Sequence, residues 1–275
     1  MNSFLKRVIS AVVGLAVIWG LWSFLGVLGL KLLAVFAVLV GGWELVGILF
    51  KPNDSRAHRA GFYFFLLCIF ALSTIYPPHA AIIFAFFSIC FCLLSLLTQN
   101  KFTSLETMTS FQAKSILGFL YVGLLPSFAV RILELPQGVL WFLVLLGVVF
   151  AGDIGAYITG MLFGRRKLMP LISPKKTIEG ALGGLVCSVF VGAVGAVLLS
   201  KPIAFVVLLS AATAIVAQFG DLFESQLKRV ADVKDSGRIM PGHGGVLDRI
   251  DGVLFASPII LLGAILLENR LVVNY

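Results

Sequence analysis

"GVLWFLVLLGVVFAGDIGAYITG", residues 138–160, is the stretch on which the fold turns. Its only charged residue is Asp153, and everything before that aspartate is apolar or glycine. A helix needs a run of about 20 such residues to cross the ~30 Å hydrocarbon core of a bilayer. The rest of the chain repeats the pattern. Of its 275 residues, 60% are hydrophobic and only 12% charged, with a mean hydropathy of +1.06. A soluble domain carries roughly 25% charge. The ten-residue alternating segments of a transmembrane barrel are absent. The composition therefore predicts an all-α polytopic integral membrane protein. About nine transmembrane helices are expected, at 8–25, 29–50, 61–77, 80–98, 115–132, 138–161, 179–200, 202–222 and 250–268. Gly26-Val27-Leu28-Gly29 is a thin divider between the first two. MNSFLKRVIS leads straight into the first run, which reads as a retained helix rather than a cleaved signal peptide.

Charge placement orients the chain. With nine spans, Lys31, Arg131, Lys201 and Arg270 fall on one side, and all the other Lys and Arg of the 21 fall on the opposite side. The positive-inside rule then places the N-terminus in the cytoplasm and the C-terminus outside. Three loops on the basic side are longer than the rest: 99–114, 162–178 and 223–249. Chemistry is expected there. The four cysteines, Cys68, Cys90, Cys92 and Cys187, lie inside apolar segments without zinc spacing and read as buried thiols. No internal repeat of the transporter kind is evident.

Ionisable groups inside such helices point to function. Asp153 lies about fifteen residues into its helix, roughly 22 Å along, which is the cytoplasmic half of the core. Asp221, in AQFGDLFES, lies near the cytoplasmic end of its helix. Glu44 lies deep in the second helix, within reach of Arg56 or Arg59. In SPKKTIEG, residues 173–180, Ser173 and Thr177 are good cap residues, and Glu179 suits the positive end of a helix. Two readings stay open there: a helix start with solvated lysines, or an anion site made by Lys175, Lys176 and the N–H groups of the helix start.

The third stretch is KDSGRIMPGHGGVLDRID, residues 234–251. Pro241 to Gly245 disfavour a helix, and a glycine-rich loop lets backbone N–H groups approach a phosphate chain. Asp248 and Asp251 fall three apart, on one face if a helix begins there. Carboxylates beside a phosphate cradle suggest a magnesium site for a nucleoside triphosphate, against the plainer reading of a polar loop. His243 reads as a phosphate donor, a base or a hydrogen-bonded loop residue, with no partner at zinc spacing. The expected topology brings Asp153, Lys175, Lys176, Asp221, His243, Asp248 and Asp251 to one membrane face.

Residues 225–251, SQLKRVADVKDSGRIMPGHGGVLDRID, resemble the signature of the phosphatidate cytidylyltransferases. That pattern is Ser-x-apolar-Lys-Arg, four residues, Lys-Asp, then Pro-x-His-Gly-Gly-apolar-x-Asp-Arg-apolar-Asp. GDIGAYITGMLFG (152–164) and SPKKTIEG are similar to the family as well. The similarity runs from about Leu117 onward, while the N-terminal half matches only in hydrophobic layout. Met240 departs from the preferred Leu, Ile or Phe but stays apolar.

The resemblance implies that CTP and phosphatidic acid react to CDP-diacylglycerol and pyrophosphate. It implies Mg²⁺ as cofactor, with a second ion and a monovalent cation left open. Asp221 and Asp248 would be the principal metal ligands, with Asp251 and Asp153 as further ones. Lys175, Lys176, Lys228, Arg229 and Arg249 would serve phosphate groups of CTP or lipid. His243, Gly244 and Gly245 would shape the triphosphate pocket, and Ser173 and Ser225 would donate to it. Residues 115–275 would then form the catalytic transmembrane region and 1–114 an N-terminal one. The implied setting is a bacterial plasma (inner) membrane with the site facing cytosolic CTP. A homodimer is expected and no nucleic-acid partner.

Two other classes are disfavoured. Asp248-Arg249-Ile250-Asp251-Gly252 copies the start of the alcohol phosphatidyltransferase pattern, but no further acid follows until Glu268. A cation-coupled transporter using Asp153 and Asp221 would place them at the midplane with repeat symmetry.

Overall fold

The computed structural model describes residues 16–51, 54–237, 239 and 244–273. In chain order it contains α1 (Ala16–Leu25), α2 (Val27–Leu49), α3 (Arg56–Ile75), α4 (Ala80–Leu97), α5 (Leu105–Gly118) and α6 (Leu125–Ile132). A π-helical turn, Phe119–Leu124, joins the last two. There follow α7 (Gly138–Phe163), β1 (Lys167–Met169), β2 (Ser173–Thr177), α8 (Ile178–Leu199), α9 (Ile203–Val230) and α10 (Leu247–Val273). Among the described residues, eight spans are long and apolar enough to cross a membrane. This is an all-α polytopic integral membrane protein. The first expected helix, 8–25, is described only from Ala16, so part of it lies outside the described residues. Gly26 divides α1 from α2 alone, in the left-handed region at φ 58°, where a side chain would be strained.

Several boundaries move from the sequence expectation. α5 begins at Leu105, not 115, because Ser104 and Thr107 close a capping box: each side-chain oxygen accepts from the other's backbone N–H, at 3.2 and 3.1 Å. α9 runs on to Val230 rather than 222, and α10 starts at Leu247 rather than 250. The long polar loop thus shrinks to 231–246. The 162–178 connection folds into an antiparallel hairpin of β1 and β2, which the sequence reading did not foresee.

The chain divides into two compact units, Met1–Ser127 with Ala231–Arg249, and Phe128–Val230 with Ile250–Tyr275. In the first, Phe62 is fully buried and stacks on Phe119 at 5.0 Å, with Phe50, Phe91 and Phe111 completing an aromatic core. Gly118 lets this happen, since a Cβ there would lie 2.6 Å from Phe62 Cζ.

The second unit is built on close helix contact. A Cβ on Gly184 would stand 2.6 Å from the Gly152 carbonyl oxygen, and one on Gly180 would stand 2.8 Å from that of Ala156. Ser188 donates to the Val148 carbonyl at 2.7 Å across the same seam. Small residues let membrane helices pack backbone to backbone where no hydrophobic effect draws them together. Gly184→Val should force α7 and α8 apart. Overpacking of this kind costs about 1–3 kcal/mol or more, so the midpoint of thermal unfolding in detergent should fall. An unchanged midpoint would contradict this packing.

Candidate active site

The second unit gathers charge where α9 leaves its apolar stretch. Lys176, on β2, places its Nζ 2.5 Å from Asp221 Oδ2 on α9. Ser225, one helical turn on, donates to Asp221 Oδ1 at 3.5 Å. Glu224 and Lys228 pair at 2.5 Å across the next turn, both buried. Asp251, on α10, is 9% exposed, and its charge is acted on by those of Asp221, Glu224 and Asp153. Its Oδ1 accepts from the Gly252 N–H at 2.7 Å. Among the described residues no lysine or arginine pairs with Asp251. Gly220 explains its close seat on α9: a Cβ there would meet the Asp251 carbonyl oxygen at 2.7 Å.

The hairpin and the start of α8 are held by their own side chains. Thr177 Oγ1 accepts from Gly180 N at 3.1 Å, and Ile178 N donates to the Arg166 carbonyl at 2.9 Å. Glu179 turns back to accept from the Arg165 and Arg166 N–H groups at 3.0 and 3.1 Å and from Arg166 Nε at 3.1 Å. Of the two expected caps, Thr177 caps α8, whereas Ser173 lies in β2. The reading in which free N–H groups of this helix start bind an anion is not supported, because the N–H groups of Ile178 and Gly180 already have partners. Lys175 is exposed on β2 and Ser173 half-buried. Arg229 Nε donates to the Ile172 carbonyl at 3.3 Å, so it braces the hairpin.

The first unit holds the glycine-rich loop. Asp248, in the first turn of α10, accepts at Oδ2 from Ser236 N at 2.9 Å, Ser236 Oγ at 2.8 Å and Gly245 N at 2.8 Å. Glu44, 5% exposed on α2, accepts from Val246 N at 3.1 Å and Leu247 N at 2.9 Å, with Ser236 Oγ 3.2 Å away. The glycines make room for these carboxylates. A Cβ on Gly244, at φ 81°, would collide with Asp248, and one on Gly237 or Gly245 would collide with Glu44. The N–H of Gly245 is therefore committed to Asp248. His243 lies outside the described residues, and Arg249 is exposed on the first turn of α10.

The second unit brings Lys176, Asp221, Ser225 and Asp251 together and the first holds Gly244, Gly245 and Asp248, whereas sequence reasoning expected Asp153, Lys175, Lys176, Asp221, His243, Asp248 and Asp251 at one membrane face. Sequence reasoning did not foresee Ser236, Glu224 or the destination of Glu44, which takes N–H groups of α10 instead of Arg56 or Arg59. Among the described residues, no group of three or more His, Cys, Asp or Glu side chains stands ready as a metal cage. The donors nonetheless fit a hard divalent cation. They are carboxylates whose like charges act on one another in a half-buried place, and Lys176 already offsets one of them.

Fold and charge together define the class: an integral membrane protein with carboxylates and a lysine gathered near the ends of its helices. Comparison with known proteins makes the class particular. The sequence profile of the cytidylyltransferase family matches residues 5–266. A phosphatidate cytidylyltransferase of Synechocystis is 33% identical over 298 residues, covering 95% of this chain and 97% of the relative. One from Helicobacter pylori is 36% identical over 227 residues, 78% of this chain and 79% of that protein. One from Bacillus subtilis is 41% identical over 145 residues, 52% of this chain and 54% of the relative. The chain belongs to the cytidylyltransferase family and is a nucleotidyltransferase.

Proposed function

We propose that this protein transfers CMP from CTP to phosphatidic acid, giving CDP-diacylglycerol and pyrophosphate. The observation that carries the reading is the Lys176–Asp221 pair beside buried Asp251, in a chain that matches the cytidylyltransferases along almost its whole length. A lipid phosphate oxygen forms the new bond at the α-phosphorus of CTP. The bond from that phosphorus to the oxygen bridging to the β-phosphate breaks, and its electron pair leaves with pyrophosphate. The nucleophile is already anionic, so the protein's task is alignment and charge neutralisation rather than removal of a proton.

Asp221, Asp251 and Asp153 would hold Mg²⁺. On sequence spacing, Asp248, one turn before Asp251 on α10, shares that duty. The bound ion supplies Lewis-acid neutralisation of phosphoryl oxygens. Asp221 anchors the Lys176 ammonium, which is thereby positioned for phosphate. Exposed Lys175 and Arg249 would meet the triphosphate or the lipid headgroup, and Ser173 and Ser225 would donate to it. His243, Gly244 and Gly245 would border the triphosphate.

Cytosolic CTP requires a site on the cytoplasmic side, in a bacterial inner membrane, and the basic excess of that side agrees. A basic face also attracts anionic phosphatidic acid, by about 1 kcal/mol per basic residue near the surface. The working form is a homodimer.

The test uses purified protein in mixed micelles with CTP, Mg²⁺ and phosphatidic acid. Pyrophosphate should appear only when all three are present, and chelation of the metal should stop it. No release beside an active control enzyme would remove the reading.

A further inference from the structure

We propose that Glu44 is a positioning residue for the reaction, acting through the first turn of α10. The inference rests on the cytidylyltransferase reading above. It concerns a residue that lies about 200 positions before the motif in sequence and outside every motif segment.

Glu44 sits in an apolar helix long enough to cross a membrane, where an ionised side chain is costly unless its bonding is complete. The structure supplies that bonding from the onset of α10 and from the Ser236 hydroxyl. The N–H groups of Val246 and Leu247 belong to the onset of α10, where a helix leaves donors unpaired and a negative charge is favoured. Most helices fill these positions with a local cap. Here the cap arrives from α2, across 202 and 203 residues of sequence.

The connection to Asp248 runs through Ser236. Its hydroxyl lies 3.2 Å from Glu44 Oε2 and 2.8 Å from Asp248 Oδ2, and it accepts from Asp248 N at 3.3 Å. Glu44 therefore fixes both the height at which α10 begins and the serine that orients the Asp248 carboxylate. Gly237 and Gly245 match this role, since a Cβ on either would displace the Glu44 carboxylate. A residue required only for insertion of α2 would need no such cradle.

Glu44→Gln keeps the shape but turns an NH₂ group toward one of two backbone donors. Loss of a group that orients a ligand typically costs about 10–100-fold, so kcat should fall by that factor while KM for CTP stays within about twofold. Glu44→Asp retains both acceptor oxygens and should recover most of the loss. Ser236→Ala cuts the link yet leaves both Glu44 backbone bonds, and it should lower kcat as well. The double variant should lose little beyond the worse single one. All are compared by pyrophosphate release beside wild-type protein, with elution and thermal unfolding as checks of folding.

Active wild-type protein with wild-type kcat in Glu44→Gln would overturn the inference alone. So would equal losses in Glu44→Gln and Glu44→Asp, or a rise only in KM. If Glu44→Gln does not fold, Ser236→Ala decides: unchanged turnover there overturns the inference. Inactive wild-type protein removes the reaction reading and this inference with it.

Discussion

Asp221→Asn should lower turnover on the order of 10³-fold, the scale of losing a group that stabilises transition-state charge, while the protein still inserts and purifies normally. Asparagine is nearly isosteric and can still accept from Ser225, so the backbone of α9 has no reason to move. What is lost is the negative charge. The Lys176 ammonium, now 2.5 Å from a carboxylate, would face an amide, and the cation proposed beside Asp251 would lose a ligand. The pair is about a third exposed, so its removal should change unfolding only slightly. Asp232→Asn, at an exposed position in the following loop, is the control and should leave turnover unchanged. Near-normal rates in Asp221→Asn would refute the metal role assigned to it.

Lys176→Met should cost on the order of 10²-fold, and the two substitutions together should cost little more than Asp221→Asn alone. Groups that act as one unit are strongly non-additive, because removing either disables both. Methionine preserves the aliphatic stem against the hairpin, so a loss of turnover reports the ammonium rather than packing. Losses that multiply in the double variant would mean that Lys176 and Asp221 act separately.

Much of this protein was legible in its sequence because a bilayer demands long apolar runs, and such runs are visible one segment at a time. The expected helices at 138–161 and 179–200 match α7 and α8 closely. Hydropathy reports the membrane, however, not the helix. It stopped the eighth expected span at 222, whereas α9 continues through Ser225 to Val230 with a Glu224–Lys228 pair along its side. It began the fifth at 115, whereas α5 starts at a capping box in polar sequence. The three- and five-residue strands of the hairpin are too short to show alternation.

The site divides in the same way. Residue types in 173–180 and 234–251 suggested phosphate and metal chemistry there, against plainer readings, and a 27-residue pattern resembled a family. The glycines of that pattern were read as room for phosphate. Gly237, Gly244 and Gly245 also make room for the carboxylates of Glu44 and Asp248. No local pattern could reveal this, because the partner of Val246 and Leu247 lies in a distant helix. Glu44 offered one signal, an ionisable residue deep in an apolar helix, but the sequence offered nearby arginines as its partner.

The reaction itself is tested most directly by following the α-phosphorus. Protein in phosphatidic acid micelles with Mg²⁺ is given CTP labelled at the α-phosphate or, separately, at the γ-phosphate. The α-label should pass into the organic-extractable lipid one for one with pyrophosphate released, while γ-label stays in the aqueous phase. Label from the γ-position in the lipid, or α-label that never leaves the aqueous phase, would contradict it.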